Sequence, residues 1–456
     1  MKKNKLNQIA VWSYAFAQGS GYQIAGSIVG AYLMIFLTDT FKVPVAAVSL
    51  IMVLASVWDA INDPMMGALA DRTKSRWGRY RVYLLFVPIP LMFVTIALFS
   101  SPNLTDTGKI IWTAIFYVAY GMLRTAMEIP CGALINAVTD EEKERNRMIS
   151  AYTLVMGIFT TLSTSFALAW VSFFGGDNTA KGYMIIMALA GVLMTASCWI
   201  CVASTKENFV IEKKERPLRT EIKELVHVKG LFPVIATWLA SFIAYNMMMS
   251  SSVYYLMYYI CRPDLISVYM LDISLVGLLG IAAGLPILMK ITRRVDRAFS
   301  VSQIFVFICS LIILFAGHNL ALLFILSGLS SFFATMSMAF NSILMTEMTD
   351  LIYYRNHTMM NGIMAALKGF SNKCGIAITN GVLGAVLAAT GYIAGAVGGQ
   401  SAATMQGINL VRFAVPMVMA LVILICLRFY PVTNEQKKNF ENLYQKQEEE
   451  TESEAQ

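Results

Sequence analysis

Residues 58–85 read WDAINDPMMGALADRTKSRWGRYRVYLL, and three features of this stretch decide the fold. It begins in an apolar run that carries Asp59 and Asp63, crosses a loop with five basic residues and one acidic residue, and becomes apolar again at Val82. A charge at bilayer depth costs roughly 2.5–3.5 kcal/mol on insertion scales, so each carboxylate needs a reason to be there. An apolar run followed by a basic loop predicts a membrane-spanning helix whose loop faces the cytoplasm.

The composition of the whole chain also indicates a membrane protein. Of the 456 residues, 57% are hydrophobic and 14% are charged, and the mean hydropathy is +0.61. Soluble globular proteins are about 45–50% apolar and about 25% charged, so this composition excludes an ordinary soluble enzyme. The net charge of +7 is spread over loops between apolar runs, which gives no support to nucleic-acid binding.

Apolar runs occur in two groups of six, separated by a polar stretch. They lie at about 10–37, 44–70, 82–100, 110–136, 148–173 and 183–203, and at about 231–260, 268–290, 300–317, 319–347, 359–389 and 406–430. Twelve spans of about 20 residues need about 240 residues, which this chain provides. The expected domains are an N-terminal six-helix half at 1–203, a cytoplasmic connector at 204–230, a C-terminal six-helix half at 231–430 and a cytoplasmic acidic tail at 431–456.

A second basic loop, KITRRVDR, follows the second span of the second half, just as DRTKSRWGRYR follows the second span of the first half. Because short cytoplasmic loops are rich in Lys and Arg, both loops, both termini and the connector are predicted to be cytoplasmic. Six-helix halves repeated in parallel are typical of major facilitator transporters, which bind substrate near the midplane. We therefore expect an all-α membrane protein with the major facilitator fold and twelve transmembrane helices, located in the cell (plasma or inner) membrane.

Span 2 carries a polar face. Asp59, Asn62 and Asp63 are three and four residues apart, so a helix places them on one side. Two neighbouring carboxylates repel each other, which raises their proton affinity or attracts a cation. Hard oxygen ligands without softer ones suit a proton or an alkali cation rather than a transition metal. The spacing therefore predicts a proton or alkali-cation site at Asp59 and Asp63. The alternative is a pair of solvated or salt-bridged structural charges at the cytoplasmic mouth.

Spans 4 and 11 carry further charges. In span 4, the sequence GMLRTAMEIPCGALI puts Arg124 and Glu128 four residues apart, with Thr125 at the edge of the same face. Side chains at this spacing can pair, and the alternative is that one or both contact the substrate. In span 11, Lys373 lies more than a turn deeper than the cytoplasmic end of the span. We expect Lys373 to line the substrate cavity.

The stretch at 58–85 resembles the signature of the glycoside-pentoside-hexuronide:cation symporters, the melibiose-permease-like branch of the major facilitator superfamily. The resemblance extends over the chain and includes SYAFAQGSGYQ (13–23), YLMIFLTDTF (32–41), AMEIPCGAL (126–134) and NKCGIAITNGVLG (372–384). It implies alternating access and the uptake of a glycoside, pentoside or hexuronide, driven by a sodium or proton gradient, with lithium as an alternative ion. No cofactor is expected besides the coupling ion.

The resemblance also implies roles for particular residues. It assigns the cation site to four side chains, which are Asp59, Asn62, Asp63 and Thr125. It assigns substrate binding to three further positions, which are Gln23, Glu128 and Lys373. Gln23 and Glu128 stand where the family has acidic residues, so Gln23 is a departure from the pattern. Arg124 stands where the pattern is uncharged, and we hypothesise that it supplies a carboxylate fork for an anionic substrate such as a hexuronide.

Other functions on the same fold stay open at this point. They are an uncoupled facilitator, a carrier of a non-sugar amphiphile, and a non-transporting sensor. An enzyme is not expected, because the three histidines, His227, His318 and His357, are predicted to lie in loops and none would complete an intramembrane catalytic triad. The expected partners are a small sugar or glycoside and membrane lipid, with no nucleic acid, and the protein is expected to function as a monomer.

Overall fold

The computed structural model describes residues 7–139, 141–207, 228, 230–316, 318–356 and 361–432. Within these ranges the chain forms helices joined by turns and loops, and no residue belongs to a β-strand. Most of the predicted connector at 204–230 and nearly all of the predicted tail at 431–456 lie outside the described residues.

The described part of the chain contains sixteen α-helices. The first eight are α1 (Gln8–Gly19), α2 (Gly21–Ile35), α3 (Val45–Arg72), α4 (Arg81–Phe86), α5 (Pro88–Leu98), α6 (Asp106–Val138), α7 (Glu142–Gly175) and α8 (Thr179–Ser204). The others are α9 (Leu231–Tyr254), α10 (Ile266–Leu279), α11 (Leu285–Thr292), α12 (Val295–Ala316), α13 (Leu320–Asn356), α14 (Asn361–Ala389), α15 (Ala402–Asn409) and α16 (Val415–Leu427). Four π-helical turns continue or join these helices, at Phe36–Thr40, Tyr255–Tyr259, Gly280–Gly284 and Leu410–Ala414.

Eleven helical segments of the described chain are long and apolar enough to cross a membrane. The span predicted near 82–100 forms two shorter helices instead, α4 and α5, which are separated at Val87. Pro88 has no N–H group to donate and restricts the residue before it, so it begins α5 and interrupts the preceding turn. Counted together, α4 and α5 supply the twelfth apolar run. The prediction of an all-α, multi-pass membrane protein is confirmed.

The first span is interrupted at Ser20. Its backbone there (φ −100°, ψ −109°) leaves the helical region, so α1 ends and α2 begins around this residue. The Ser20 hydroxyl donates to the carbonyl of Phe16 at 2.5 Å and lies 3.1 Å from the hydroxyl of Ser197 on α8. These contacts satisfy polar groups that would otherwise be exposed to an apolar environment. The break sets the direction of the first turn of α2, which carries Tyr22 and Gln23.

The helices are distributed over two compact units. The first contains the described residues of Met1–Lys213, Asn246–Leu275 and Ile376–Arg412, and the second contains those of Lys214–Tyr245, Val276–Gly375 and Phe413–Gln456. In the second unit, the apolar core includes Trp238, whose indole N–H donates to the carbonyl of Asn341 at 3.2 Å. Phe299 and Phe340 stack within the same core, with ring centroids 4.9 Å apart. This core joins α9, α12, α13, α14 and α16.

A carboxylate from the end of α8 holds the basic loop that follows α3. Glu207 Oε2 accepts the backbone N–H of Arg79 at 2.7 Å, and Oε1 accepts those of Tyr80 and Arg81 at 2.9 Å each. Gly78 lies in the left-handed region (φ +111°), and a Cβ there would lie 2.6 Å from Glu207 Oε1. Because the first N–H groups of a helix have no intrahelical acceptor, Glu207 caps the start of α4 and anchors the loop.

Candidate functional site

The acidic face of α3 meets α6 within the first unit. Asn62 is buried, with 9% of its surface exposed, and Asp59 and Asp63 are half-buried. Thr125 of α6 is 2% exposed, and its hydroxyl donates to Asp63 Oδ1 at 2.8 Å. The structure therefore brings Thr125 to the face on which helical spacing places the two acids and Asn62.

The position of Asp59 depends on a glycine of α6. A Cβ on Gly121 would lie 2.6 Å from Asp59 Oδ1 and 3.2 Å from its Cγ, so the carboxylate packs directly against the backbone of α6. Gly121 and Thr125 are four residues apart and lie on one face of α6. Two acids one turn apart on α3 therefore meet two positions one turn apart on α6. The sequence reasoning did not identify Gly121, although its place one turn before Thr125 is a usable signal.

The donor groups on this face fit a proton or an alkali cation. Two carboxylates and the Thr125 hydroxyl are hard oxygen ligands, which alkali and alkaline-earth cations prefer.

Asn62 Nδ2 is buried and has no hydrogen-bond partner in the described chain. A buried polar group left without a partner costs about 1–3 kcal/mol. The amide of Asn62 therefore has hydrogen-bonding capacity left for a bound solute or water.

A second cluster on α6 joins Arg124, Glu128 and Tyr22. Arg124 Nε lies 3.5 Å from Glu128 Oε2 and donates to the Tyr22 hydroxyl at 3.2 Å. Tyr22 donates in turn to Glu128 Oε2 at 2.9 Å, and the guanidinium carbon of Arg124 lies 5.8 Å from the centre of the Tyr22 ring. Arg124 and Glu128 therefore form an ion pair. The side chains of Arg124 and Glu128 stay 36% and 53% exposed, so pairing leaves both of them accessible surface.

Gln23 is held against α7. Its Nε2 donates to Thr160 Oγ1 at 2.9 Å and to Ser27 Oγ at 3.3 Å. The adjacent residue, Tyr22, contacts Glu128 on α6 instead, so the first turn of α2 touches two helices. The sequence reasoning missed Tyr22, whose only signal was its place beside Gln23 in the quoted motif.

Lys373 lies on α14 in the second unit. Its side chain is half-buried. Lys368, five residues earlier on the same helix, donates to Ser342 Oγ of α13 at 2.6 Å. A role for Lys373 in the substrate cavity stays a prediction.

Helix α6 contributes to both clusters of the first unit. Arg124 and Thr125 are consecutive, yet Arg124 contacts Tyr22 of α2 whereas Thr125 contacts Asp63 of α3. Consecutive side chains on a helix diverge by about 100°, so they reach different neighbours. A rotation or shift of α6 at one cluster therefore changes the geometry of the other.

Comparison with known proteins gives one consistent result. The model of the family described as MFS/sugar transport protein matches residues 14–434. The chain is 28% identical over 419 residues to the uncharacterized symporter YnaJ of Bacillus subtilis, which covers 90% of this chain and 89% of that protein. It is also 28% identical over 432 residues to the isoprimeverose transporter of Lactiplantibacillus pentosus, covering 92% of this chain and 88% of that protein.

Solved structures show the same architecture. The crystal structure of a bacterial homologue of the human lysosomal transporter Spinster, in an inward-facing and unoccupied conformation, aligns with a TM-score of 0.71. The alignment covers 92% of this chain and 97% of that one at 12% identity, so the likeness concerns the fold alone. The fold class predicted from the sequence is confirmed.

Proposed function

The chain belongs to the family of MFS/sugar transport proteins, and on that basis we propose that it couples uptake of a glycoside, pentoside or hexuronide to a sodium or proton gradient. One relative is named a symporter and another an isoprimeverose transporter, which supports sugar symport as the function. The solute is then a small sugar or glycoside, and the chain moves it across the membrane without changing it chemically.

The contact between Thr125 and Asp63 is the observation that carries cation coupling. It adds a hydroxyl from α6 at 2.8 Å to a face of α3 that already holds two carboxylates. Sodium or a proton bound there neutralises part of the negative charge and relieves the repulsion between Asp59 and Asp63. Because α6 also carries Arg124 and Glu128, cation binding changes the position of the groups proposed to hold the sugar.

Coupling follows from this shared helix. The cation raises the affinity for sugar and permits the two six-helix halves to rock about the site. Thermodynamic reciprocity then requires the sugar to raise cation affinity by the same factor. Titrations in which the two ligands bind independently would contradict this scheme.

Arg124 bears on the class of sugar. Its side chain is 36% exposed, and the adjacent side chain of Glu128 is 53% exposed. A neutral glycoside would donate hydrogen bonds from its hydroxyl groups to the carboxylate of Glu128. A hexuronide would instead place its carboxylate against the N–H groups of the Arg124 guanidinium. Both classes therefore belong in a substrate panel.

The proposed location is the cell membrane, with both termini and the connector in the cytoplasm and a monomer as the working unit. The excess of Lys and Arg in the loops after the second span of each half supports this orientation.

Transport measurements test the proposed function. Labelled glycosides, pentosides and hexuronides are offered to membrane vesicles, with and without imposed sodium or proton gradients. The proteins are wild type, Asp59→Cys and the control Asp106→Cys, which replaces an acid that is 92% exposed at the start of α6.

Accumulation that requires one gradient and fails only in Asp59→Cys is the expected result. Gradient-independent equilibration in all three proteins would favour an uncoupled facilitator. Sugar binding without any uptake would favour a non-transporting sensor.

A further inference from the structure

One carboxylate at the end of the first span accepts hydrogen bonds from hydroxyl groups in distant parts of the chain. Asp39 lies in the π-helical turn Phe36–Thr40. Tyr258 donates to Asp39 Oδ2, and Tyr392 and Thr38 donate to Oδ1 at 2.6 and 2.7 Å. Hydrogen bonds to an ionised acceptor are about twice as strong as those between neutral groups. Asp39 is therefore a strong point of attachment for both tyrosines.

The two tyrosines belong to the second half of the sequence, 219 and 353 positions after Asp39. The rings of Tyr258 and Tyr392 meet edge to face, with centroids 5.2 Å apart and an interplanar angle of 87°. The backbone N–H of Gly395 donates to the Tyr258 hydroxyl at 3.2 Å. Burial, together with the nearby Tyr254 and Asp39, raises the pKa of Tyr392 well above its ordinary value, so this hydroxyl stays protonated as a donor.

A second contact within the first unit, further from the end of the first span, joins the same regions of the chain. Ser250 of α9 donates to the carbonyl of Gly30 on α2 at 3.2 Å. Ser250 precedes Tyr258 by about two helical turns. The chain from Ser250 to Tyr258 is thus attached to the first span at two levels, by a neutral bond at Gly30 and by a carboxylate at Asp39.

We propose that Asp39 is a positioning residue of the transport cycle, whose hydrogen bonds to Tyr258 and Tyr392 hold those two segments against the first span and close its exterior end. The proposal rests on the transport function proposed above, in which each end of the pathway opens and closes in turn. The orientation proposed from the basic loops assigns the ends of spans 1, 7 and 11 at this cluster to the exterior. Opening that end requires both tyrosine hydroxyls to leave the carboxylate.

Thiol accessibility tests the proposal directly. Ser250 is 9% exposed, so in a Ser250→Cys background the thiol is shielded while the Asp39 bonds are intact. A membrane-impermeant maleimide is applied to right-side-out vesicles, and labelling of protein that retains Ser250 is subtracted. Asp39→Asn and Tyr392→Phe, each made in this background, are expected to label about tenfold faster, as follows from losing one strong hydrogen bond.

Tyr32→Phe is the matched control. Tyr32 is fully buried, and its hydroxyl donates to the carbonyl of Thr164 at 2.5 Å, which joins two helices of the first half only. This variant is expected to label at the rate of the Ser250→Cys parent. Unchanged labelling in Asp39→Asn and Tyr392→Phe would overturn the proposal. An equal increase in all three variants, or faster labelling only in inside-out vesicles, would overturn it as well.

The labelling is measured without substrate, so it reports conformation whether or not a sugar is transported. Faster labelling of the Asp39→Asn and Tyr392→Phe proteins, combined with no gradient-driven uptake by wild type, would support the role of Asp39 and contradict symport. The two proposals therefore fail separately.

Discussion

The hydroxyl of Thr125 donates a 2.8 Å hydrogen bond to the carboxylate of Asp63 across the contact between α6 and α3. Thr125 is 2% exposed, so the bond is shielded from solvent. The same helix presents Arg124 to Tyr22, which itself binds Glu128. A ligand at the carboxylates of α3 is therefore linked to the charged pair, Arg124 and Glu128, through helix α6.

Replacing Thr125 tests the contribution of this bond to cation binding. Thr125→Val removes the hydroxyl at nearly constant volume, whereas Thr125→Ser keeps it. Because a hydrogen bond to a charged group contributes about 1.5–3 kcal/mol, the valine variant is expected to need about tenfold more cation for half-maximal sugar uptake. The measurement is a cation titration of uptake in vesicles. Identical cation dependence of the valine and serine variants would argue against the role of this hydroxyl.

Gly121→Ala tests the close approach of Asp59 to α6. The added Cβ would lie 2.6 Å from Asp59 Oδ1, so the carboxylate must move. We expect cation-dependent uptake to fall about fivefold or more, because overpacking of this kind costs about 1–3 kcal/mol. Gly132→Ala on the same helix is the control, since nothing lies within 4 Å of a Cβ there. An equal loss of uptake in both variants would assign the effect to α6 in general.

A double-mutant cycle measures the pair formed by Arg124 and Glu128. The variants are Arg124→Gln, Glu128→Gln and the combination of both. The two side chains keep 36% and 53% exposure, so we expect a coupling free energy of only about 0.5–1 kcal/mol in thermal unfolding in detergent. The loss in the free energy of sugar binding should exceed the loss in the free energy of unfolding, because both side chains remain accessible to a substrate. Additive effects on stability would show that the ion pair contributes nothing.

Gly78→Ala tests the loop that Glu207 anchors. Alanine at φ +111° is strained, and its Cβ would lie 2.6 Å from Glu207 Oε1. Strained backbone costs about 1–3 kcal/mol, and displacement of the carboxylate adds the loss of its bonds to the loop. Gly391→Ala, at φ +72° with nothing within 4 Å of its Cβ, carries the conformational cost alone. Thermal unfolding should therefore show a larger loss for Gly78→Ala, and equal losses would mean that Glu207 does not hold the loop.

The sequence was most informative where one helix decides the geometry. The interval of three and four residues places Asp59, Asn62 and Asp63 on one face of α3, and the interval of four puts Arg124 within reach of Glu128. The span at 82–100 is divided at Pro88, a residue with a known local effect. Such features depend on backbone periodicity and need no knowledge of neighbouring helices.

Hydropathy and helical spacing were thus sufficient for the all-α class, the multi-pass character and the shared face of Asp59, Asn62 and Asp63, because each depends on a pattern within single segments. Tertiary packing was needed to establish that Gly121 supports Asp59, that Tyr22 bridges Arg124 and Glu128, and that Asp39 binds tyrosines 219 and 353 positions away. The rotation and axial offset of one helix against another set these contacts. They arise from the fit of many side chains distant in sequence, and no local pattern in the chain encodes them.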